Sequence, residues 1–354
     1  MKKIIKTISK IIKYTITAII VIILLFFIIR AIGKAYYNRT PQGGINESMY
    51  VEINGTKQWI SIYGEDINNP VLLYLHGGPG TSTSLYDYAF TRQWADVYTV
   101  VTWDQRNCGK SYSPEQNNTE LTYELLMSDG LEMTKYILKH LGKDKITLLG
   151  HSWGTYYGCN LVLEYPEYYE TYIGTGQLIN FDDNETAFKE AASQWVGNDA
   201  EGLALLSRLN VDNYTPDYYA ARNSLMVKYG YDMFADGTDY NLSAAQYFNP
   251  YYTLSDFLNY INAQNTVYEN FISSEEFNKF SLTGRYEYQV PYYNINGDKD
   301  YQTNYLIAQN YFNDIEAPDK KMYIMKNTTH GLLESKSKEF SEILHEIAEL
   351  NNPK

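Results

Sequence analysis

Along most of the chain, short apolar runs alternate with stretches of helical periodicity. Residues 50–53 and 58–63 flank Asn54-Gly55, a pairing that predicts a hairpin closed by an Asn-Gly turn. Residues 71–75, 97–103 and 145–149 are brief and almost wholly apolar, as strands buried on both faces are. Between them, residues 121–141 place Leu125, Met127, Leu131, Met133, Ile137 and Leu138 at helical spacing, and residues 155–164 read as another helix. The rhythm lapses from about 182 to 286, where helical stretches such as 185–195 and 200–209 are punctuated by Tyr218-Tyr219, Tyr247-Phe248 and Tyr251-Tyr252. It returns with strands at 290–295 and 321–325 and a closing helix at 340–350. Buried strands alternating with helices predict an α/β fold, a mostly parallel sheet with helices on both faces. The interruption predicts a helical lid over the strand ends.

Ahead of this body lies a different pattern. Residues 14–29 carry no charge, close to the ~20 residues a bilayer core requires. Lys13 and Arg30 bracket the run and can extend it by reaching to the headgroups. A cleaved secretory signal is the competing reading, but its cleavage motif is poor here and the run exceeds the usual signal length. An uncleaved transmembrane helix is therefore expected. Five lysines precede the run, which places the N-terminus in the cytoplasm and the body outside the cell membrane. The expected organisation is a cytoplasmic basic segment (1–13), an anchor (14–33), a linker (34–47), a core (48–181 and 287–354) and a lid (182–286).

Charge sharpens this division. The 354-residue chain has 29 bases and 42 acids, yet residues 1–46 hold eight bases and no acid. The rest therefore carries 21 bases against 42 acids, net −21. Such a body repels phosphate backbones, which excludes nucleic acid as a partner. Cys108 and Cys159 alone form neither a disulfide framework nor a four-ligand zinc site. The 37 tyrosines accompany a bias towards Ile, Lys and Asn and call for no special chemistry.

The candidate chemistry lies at strand ends. Gly150-His151-Ser152-Trp153-Gly154 follows an apolar strand and opens a helix, the context a nucleophile elbow requires. Ser152 is the expected nucleophile, with His151 pointing away from it. Of five histidines, His330 alone sits between the last strand and the last helix; His140 and His345 lie within helices, and His76 belongs to a glycine loop. His330 is the expected base. The acid should fall between serine and histidine in the chain, where Gly297-Asp298-Lys299-Asp300 offers two carboxylates, Asp300 preferred and Asp298 the alternative. An oxyanion hole is expected from the N–H groups of Trp153 and of Gly78, in His76-Gly77-Gly78-Pro79-Gly80. No metal or cofactor is called for.

HGGPG (76–80), WDQRNCGKS (103–111), GHSWGT (150–155), GDKDYQT (297–303) and the TTHG around His330 together resemble the α/β-hydrolase fold. More narrowly they resemble the proline iminopeptidase branch of serine peptidases. That resemblance implies the triad Ser152, Asp300 and His330, the oxyanion pair Gly78 and Trp153, and a bracing role for Asp104 and Arg106. It also implies an aminopeptidase that releases N-terminal residues, proline preferred, from short peptides. Two departures bear on the substrate: His151 stands where those peptidases often have glycine, and the lid lacks their Trp-Glu pair. Glu185, Glu190, Glu201, Glu269, Glu275 and Glu276 are the lid carboxylates available to recognise an amine, each read by default as an exposed helix charge. The rival readings are a small-ester or amide hydrolase of the same fold and an inactive, membrane-tethered binding protein.

Overall fold

The computed structural model describes residues 2–115, 121–211, 213–267, 271, 277 and 280–351. Helix α1 (Lys2–Tyr37) precedes a hairpin of β1 (Ile45–Ile53) and β2 (Thr56–Gly64). The chain continues through β3 (Val71–Leu75), α2 (Tyr88–Thr91), β4 (Thr99–Trp103), α3 (Tyr123–Leu141), β5 (Ile146–His151), α4 (Trp153–Glu164) and β6 (Tyr169–Thr175). Helices α5 (Phe181–Val196), α6 (Ala200–Leu206), α7 (Pro216–Tyr229), α8 (Leu242–Phe248) and α9 (Leu254–Val267) follow without an intervening strand. The end of the chain is β7 (Tyr292–Gly297), α10 (Tyr305–Asp314), β8 (Lys320–Met325), α11 (Leu332–Ser335) and α12 (Ser337–Asn351).

The eight strands form one sheet in the order β1-β2-β4-β3-β5-β6-β7-β8. The hairpin joins antiparallel, and every pairing from β4 through β8 is parallel. All residues of β3, β4 and β5 are buried, so their apolar runs reflect contact with helices on both faces. Strand β6 escaped the sequence reading: Tyr-Glu-Thr-Tyr looks polar, but Tyr169 and Tyr172 bury their rings.

Local signals set the helix limits. Thr122 caps α3 by accepting from the Leu125 N–H, and Gly142, at φ 63°, ends it. Of the expected face of α3, Met127, Met133, Ile137 and Leu138 are buried and Leu125 and Leu131 half-buried; Leu126 and Asp129 are buried as well. Asp129 is held there by Arg106, whose Nε and Nη2 lie 2.6 and 2.8 Å from its two oxygens. Gln58 Nε2 and Asn54 Nδ2 also donate to it, each at 2.8 Å. A buried carboxylate is tolerated because every lone pair faces a donor.

Helix α1 is one helix long and apolar enough to cross a membrane, and its most apolar stretch is not buried against the rest of the chain.

Candidate active site

The elbow is built by what its neighbours exclude. Ser152 sits at φ 55°, ψ −121°, a strained conformation that turns β5 directly into α4. Its N–H donates to the Thr175 carbonyl at 3.0 Å, fixing the turn to the end of β6. A Cβ at Gly150 would collide with the Gly154 carbonyl, and one at Gly154 with the Leu75 carbonyl. Both glycines are therefore steric necessities of the turn. Helix α4 begins at Trp153, so the positive end of the helix dipole and the Trp153 N–H sit beside Ser152.

His330 lies in the β8–α11 loop and is 4% exposed. Its Nδ1 is 2.7 Å from Oδ2 of the fully buried Asp300. Asp300 is itself held: Oδ1 accepts from the N–H groups of Gln302 and Thr303, both at 2.9 Å, and Oδ2 accepts from Thr303 Oγ1 at 3.0 Å. Asp298 faces elsewhere, accepting from the Asn327 N–H at 2.7 Å and lying 3.6 Å from Lys326. Of the two carboxylates the sequence left open, Asp300 is the one brought to the imidazole. Gly176, next to the Thr175 that binds Ser152, abuts the same ring; a Cβ there would stand 2.9 Å from His330 Cε1. Ser152 and His330 thus converge on the carboxyl end of β6.

His151 does not point away, as the sequence reading expected. Its buried ring lies 4.7 Å, centroid to centroid, from that of His330. Burial, reinforced by the neighbouring His330, holds its pKa well below the usual histidine range, so it stays neutral there.

The glycine loop closes the other side. A Cβ at Gly77 would stand 3.1 Å from Ser152 Cβ, and Gly78 adopts φ 119°. Gln105, which the sequence reading passed over, ties this loop to the elbow. Its Nε2 donates to the His76 carbonyl at 3.1 Å, and its Oε1 accepts from Trp153 Nε1 at 3.2 Å. The only sequence clue was its place in the Trp-Asp-Gln-Arg run. Asp104 and Arg106 brace the same region without pairing with each other. Asp104 accepts from Ser82 Oγ, from Ser84 Oγ at 3.0 Å and from the Lys110 N–H at 2.7 Å.

The helical insertion touches the site at several points among the described residues. Asp236 Oδ2 accepts from the Thr329 N–H at 2.7 Å, and Phe271, Phe277 and Phe280 pack on the Trp153 indole. Glu185 is not the exposed helix charge expected. It is 3% exposed, with Oε2 2.8 Å from Arg222 Nε and 2.7 Å from the Tyr218 hydroxyl. Arg222 also donates to the Gln302 carbonyl at 3.1 Å, linking the lid to the loop that carries Asp300. Glu201 pairs with Lys228 at the surface, while Glu190 borders an open cleft of about 390 Å³ that none of Ser152, Asp300 and His330 lines. Glu269, Glu275 and Glu276 lie outside the described residues.

Comparison with known proteins bears on the fold and the family. A probable aminopeptidase, YbaC, of Bacillus subtilis (strain 168) is 29% identical over 290 residues, covering 79% of this chain and 89% of its own. A proline iminopeptidase of Clostridioides difficile (strain 630) is 31% identical over 175 residues, 48% of this chain and 56% of its own. The crystal structure of a proline iminopeptidase from Mycobacterium smegmatis superposes with a TM-score of 0.60 at 19% identity, covering 86% of this chain and 98% of that one; it supports the fold. Residues 70–336 match the alpha/beta hydrolase fold family. With its parallel sheet, elbow serine and that match over most of its length, the chain belongs to the α/β-hydrolase fold family.

Proposed function

We propose that the chain is a serine hydrolase working through an acyl-enzyme, with Ser152, His330 and Asp300 as its triad. The observation that carries this reading is the buried Asp300–His330 pair at the end of the strand that fixes the Ser152 turn. In the first step Ser152 Oγ attacks the substrate carbonyl while His330 Nε2 takes its proton. Asp300 holds the proton on Nδ1 and stabilises the imidazolium. The N–H groups of Trp153 and Gly78 receive the oxyanion, and His330 returns the proton to the leaving group. Water then releases the acyl group by the same steps in reverse roles. Replacing Ser152 with alanine is expected to lower kcat by several orders of magnitude with the fold intact. Unchanged turnover would instead mean that another group is the nucleophile.

For the substrate, we favour the free N-terminus of a short peptide, proline preferred. The aminopeptidase names of the relatives support it, and a body of net charge −21 draws in a cationic amine. One observation favours the second reading, a small-ester or amide hydrolase: Glu185, the buried lid carboxylate, is already engaged by Arg222 and Tyr218. A prolyl amide and its N-acetylated form separate the two. An aminopeptidase loses nearly all activity on acetylation because its amine-binding groups are left unpaired. Equal rates on both forms hand the result to the second reading.

We further infer that α1 anchors the protein in the cell membrane, N-terminus in the cytoplasm and hydrolase body outside. Protease added to intact cells should then remove the body; full protection would reverse the orientation.

A further inference from the structure

We propose that helix α9 rests on the surface of the membrane that α1 enters, its outer apolar face set into the boundary between headgroups and acyl chains. The proposal depends on α1 spanning a bilayer.

Helix α9 has two unlike faces. Inward, Tyr260 donates its hydroxyl to the Ser82 carbonyl at 2.9 Å, Ala263 is fully buried, and Asp256 pairs with Lys110 at 2.7 Å. Outward stand Leu254 (64% exposed), Phe257 (42%), Leu258 (64%) and Ile261 (46%). Their spacing of three, four and seven places them on one side of the helix. Asp256 is the one charged residue in the α9 sequence, and its ion pair leaves no free carboxylate to oppose contact with lipid.

The position of α9 relative to α1 identifies the occupant. The uncharged run of α1 ends at Arg30, where a transmembrane helix meets the headgroups. Arg30 Nη2 donates to the Tyr252 carbonyl at 2.8 Å, and Lys34 Nζ donates to the same oxygen at 2.9 Å. Tyr252 lies two residues before Leu254, so α9 starts at the headgroup level. Its apolar stripe then extends about 10 Å from that point. Tyr247 of α8 reaches a turn deeper: its hydroxyl donates to the Phe26 carbonyl and its ring lies 4.5 Å from that of Phe26. Tyr36 and Tyr37 end α1 about 10 Å further out than Arg30, on the headgroup side. Tyrosines gathered where a helix leaves the hydrocarbon form the belt that membrane interfaces favour. A half-polar helix with an apolar outer face, held at that belt, has the form of an interfacial helix.

The test uses the full chain reconstituted in phosphatidylcholine vesicles. Leu258→Cys, and Val227→Cys on α7 (67% exposed) as the comparison, are each labelled with a small polarity-sensitive fluorophore; native Cys108 and Cys159 are buried. The expected result is a blue-shifted Leu258 label, quenched several-fold more than the Val227 label by lipids brominated in their acyl chains. Quenching of both labels alike by aqueous iodide overturns the proposal, as does a Leu258 label shielded from both quenchers, which would mean a protein covers the face. Flotation of the vesicles after an alkaline wash keeps the two readings apart. A chain that floats with an iodide-accessible Leu258 refutes the docking of α9 alone, and a chain that does not float refutes the anchor as well.

Discussion

Replacing Asp300 with asparagine perturbs the proposed triad at one atom. The carboxylate serves two backbone N–H groups through Oδ1, and the Thr303 hydroxyl and His330 through Oδ2. Asparagine offers a single acceptor oxygen, and the N–H groups of Gln302 and Thr303 cannot turn away from it. They claim that oxygen, which aims the amide NH2 at His330 Nδ1. The imidazole must then present a lone pair at Nδ1 and carry its proton on Nε2, the nitrogen meant to accept from Ser152. A triad locked in that tautomer loses about 10⁴ in kcat, or about 5–6 kcal/mol of transition-state stabilisation. Asp298→Asn, whose carboxylate serves Asn327 and Lys326, should leave kcat essentially unchanged. The assay is hydrolysis of a prolyl amide by the detergent-purified full chain, with circular dichroism to confirm folding. A folded Asp300→Asn enzyme within about tenfold of the parent, a difference of only ~1.4 kcal/mol, would refute the reasoning. So would Asp298→Asn proving the more damaging.

Gln105→Ala removes the tie between the His76 carbonyl and the Trp153 indole, and the loosened oxyanion donors should cost about 10²-fold in kcat with KM little changed; a pure KM effect would place Gln105 in substrate binding instead. Arg222→Met strands the buried Glu185 carboxylate and should destabilise the fold by about 3–5 kcal/mol, most of it recovered by adding Glu185→Gln, as thermal unfolding would register; no recovery in the double variant contradicts the pairing. Burial lowers the His76 pKa to about 4, so its neutral form contributes stability present above about pH 6.5 and lost as pH falls towards 4, by about 3 kcal/mol in all. Urea unfolding of His76→Gln should therefore depend less steeply on pH than the parent across that window, and identical slopes would exclude His76 from the acid response.

What the sequence made legible follows from which residues carry their own constraints. The runs at 71–75 and 145–149 mark strands because they are short and mostly apolar, and the glycines at 150 and 154 mark the elbow because no side chain fits there. Asp300 and His330 could be placed by chain order and by their positions after strands. Other features depend on partners far along the chain. Asp129 reads as the polar side of α3 until Arg106 and Gln58 are seen around it. Glu185 reads as solvent-facing until Arg222 and Tyr218 close on it. The ring of His151 turns towards His330, and Gln105 bridges two loops, through tertiary geometry that has no local signature.

The central claim, that Ser152 is an activated nucleophile, is tested most directly by treating the full chain with a fluorophosphonate and locating the adduct by peptide mass spectrometry. The proposed triad predicts a single phosphonylated peptide containing Ser152, formed in the parent, absent from Ser152→Ala, and formed far more slowly in Asp300→Asn. An adduct on any other residue, or turnover of a substrate by a chain whose Ser152 never labels, would contradict it.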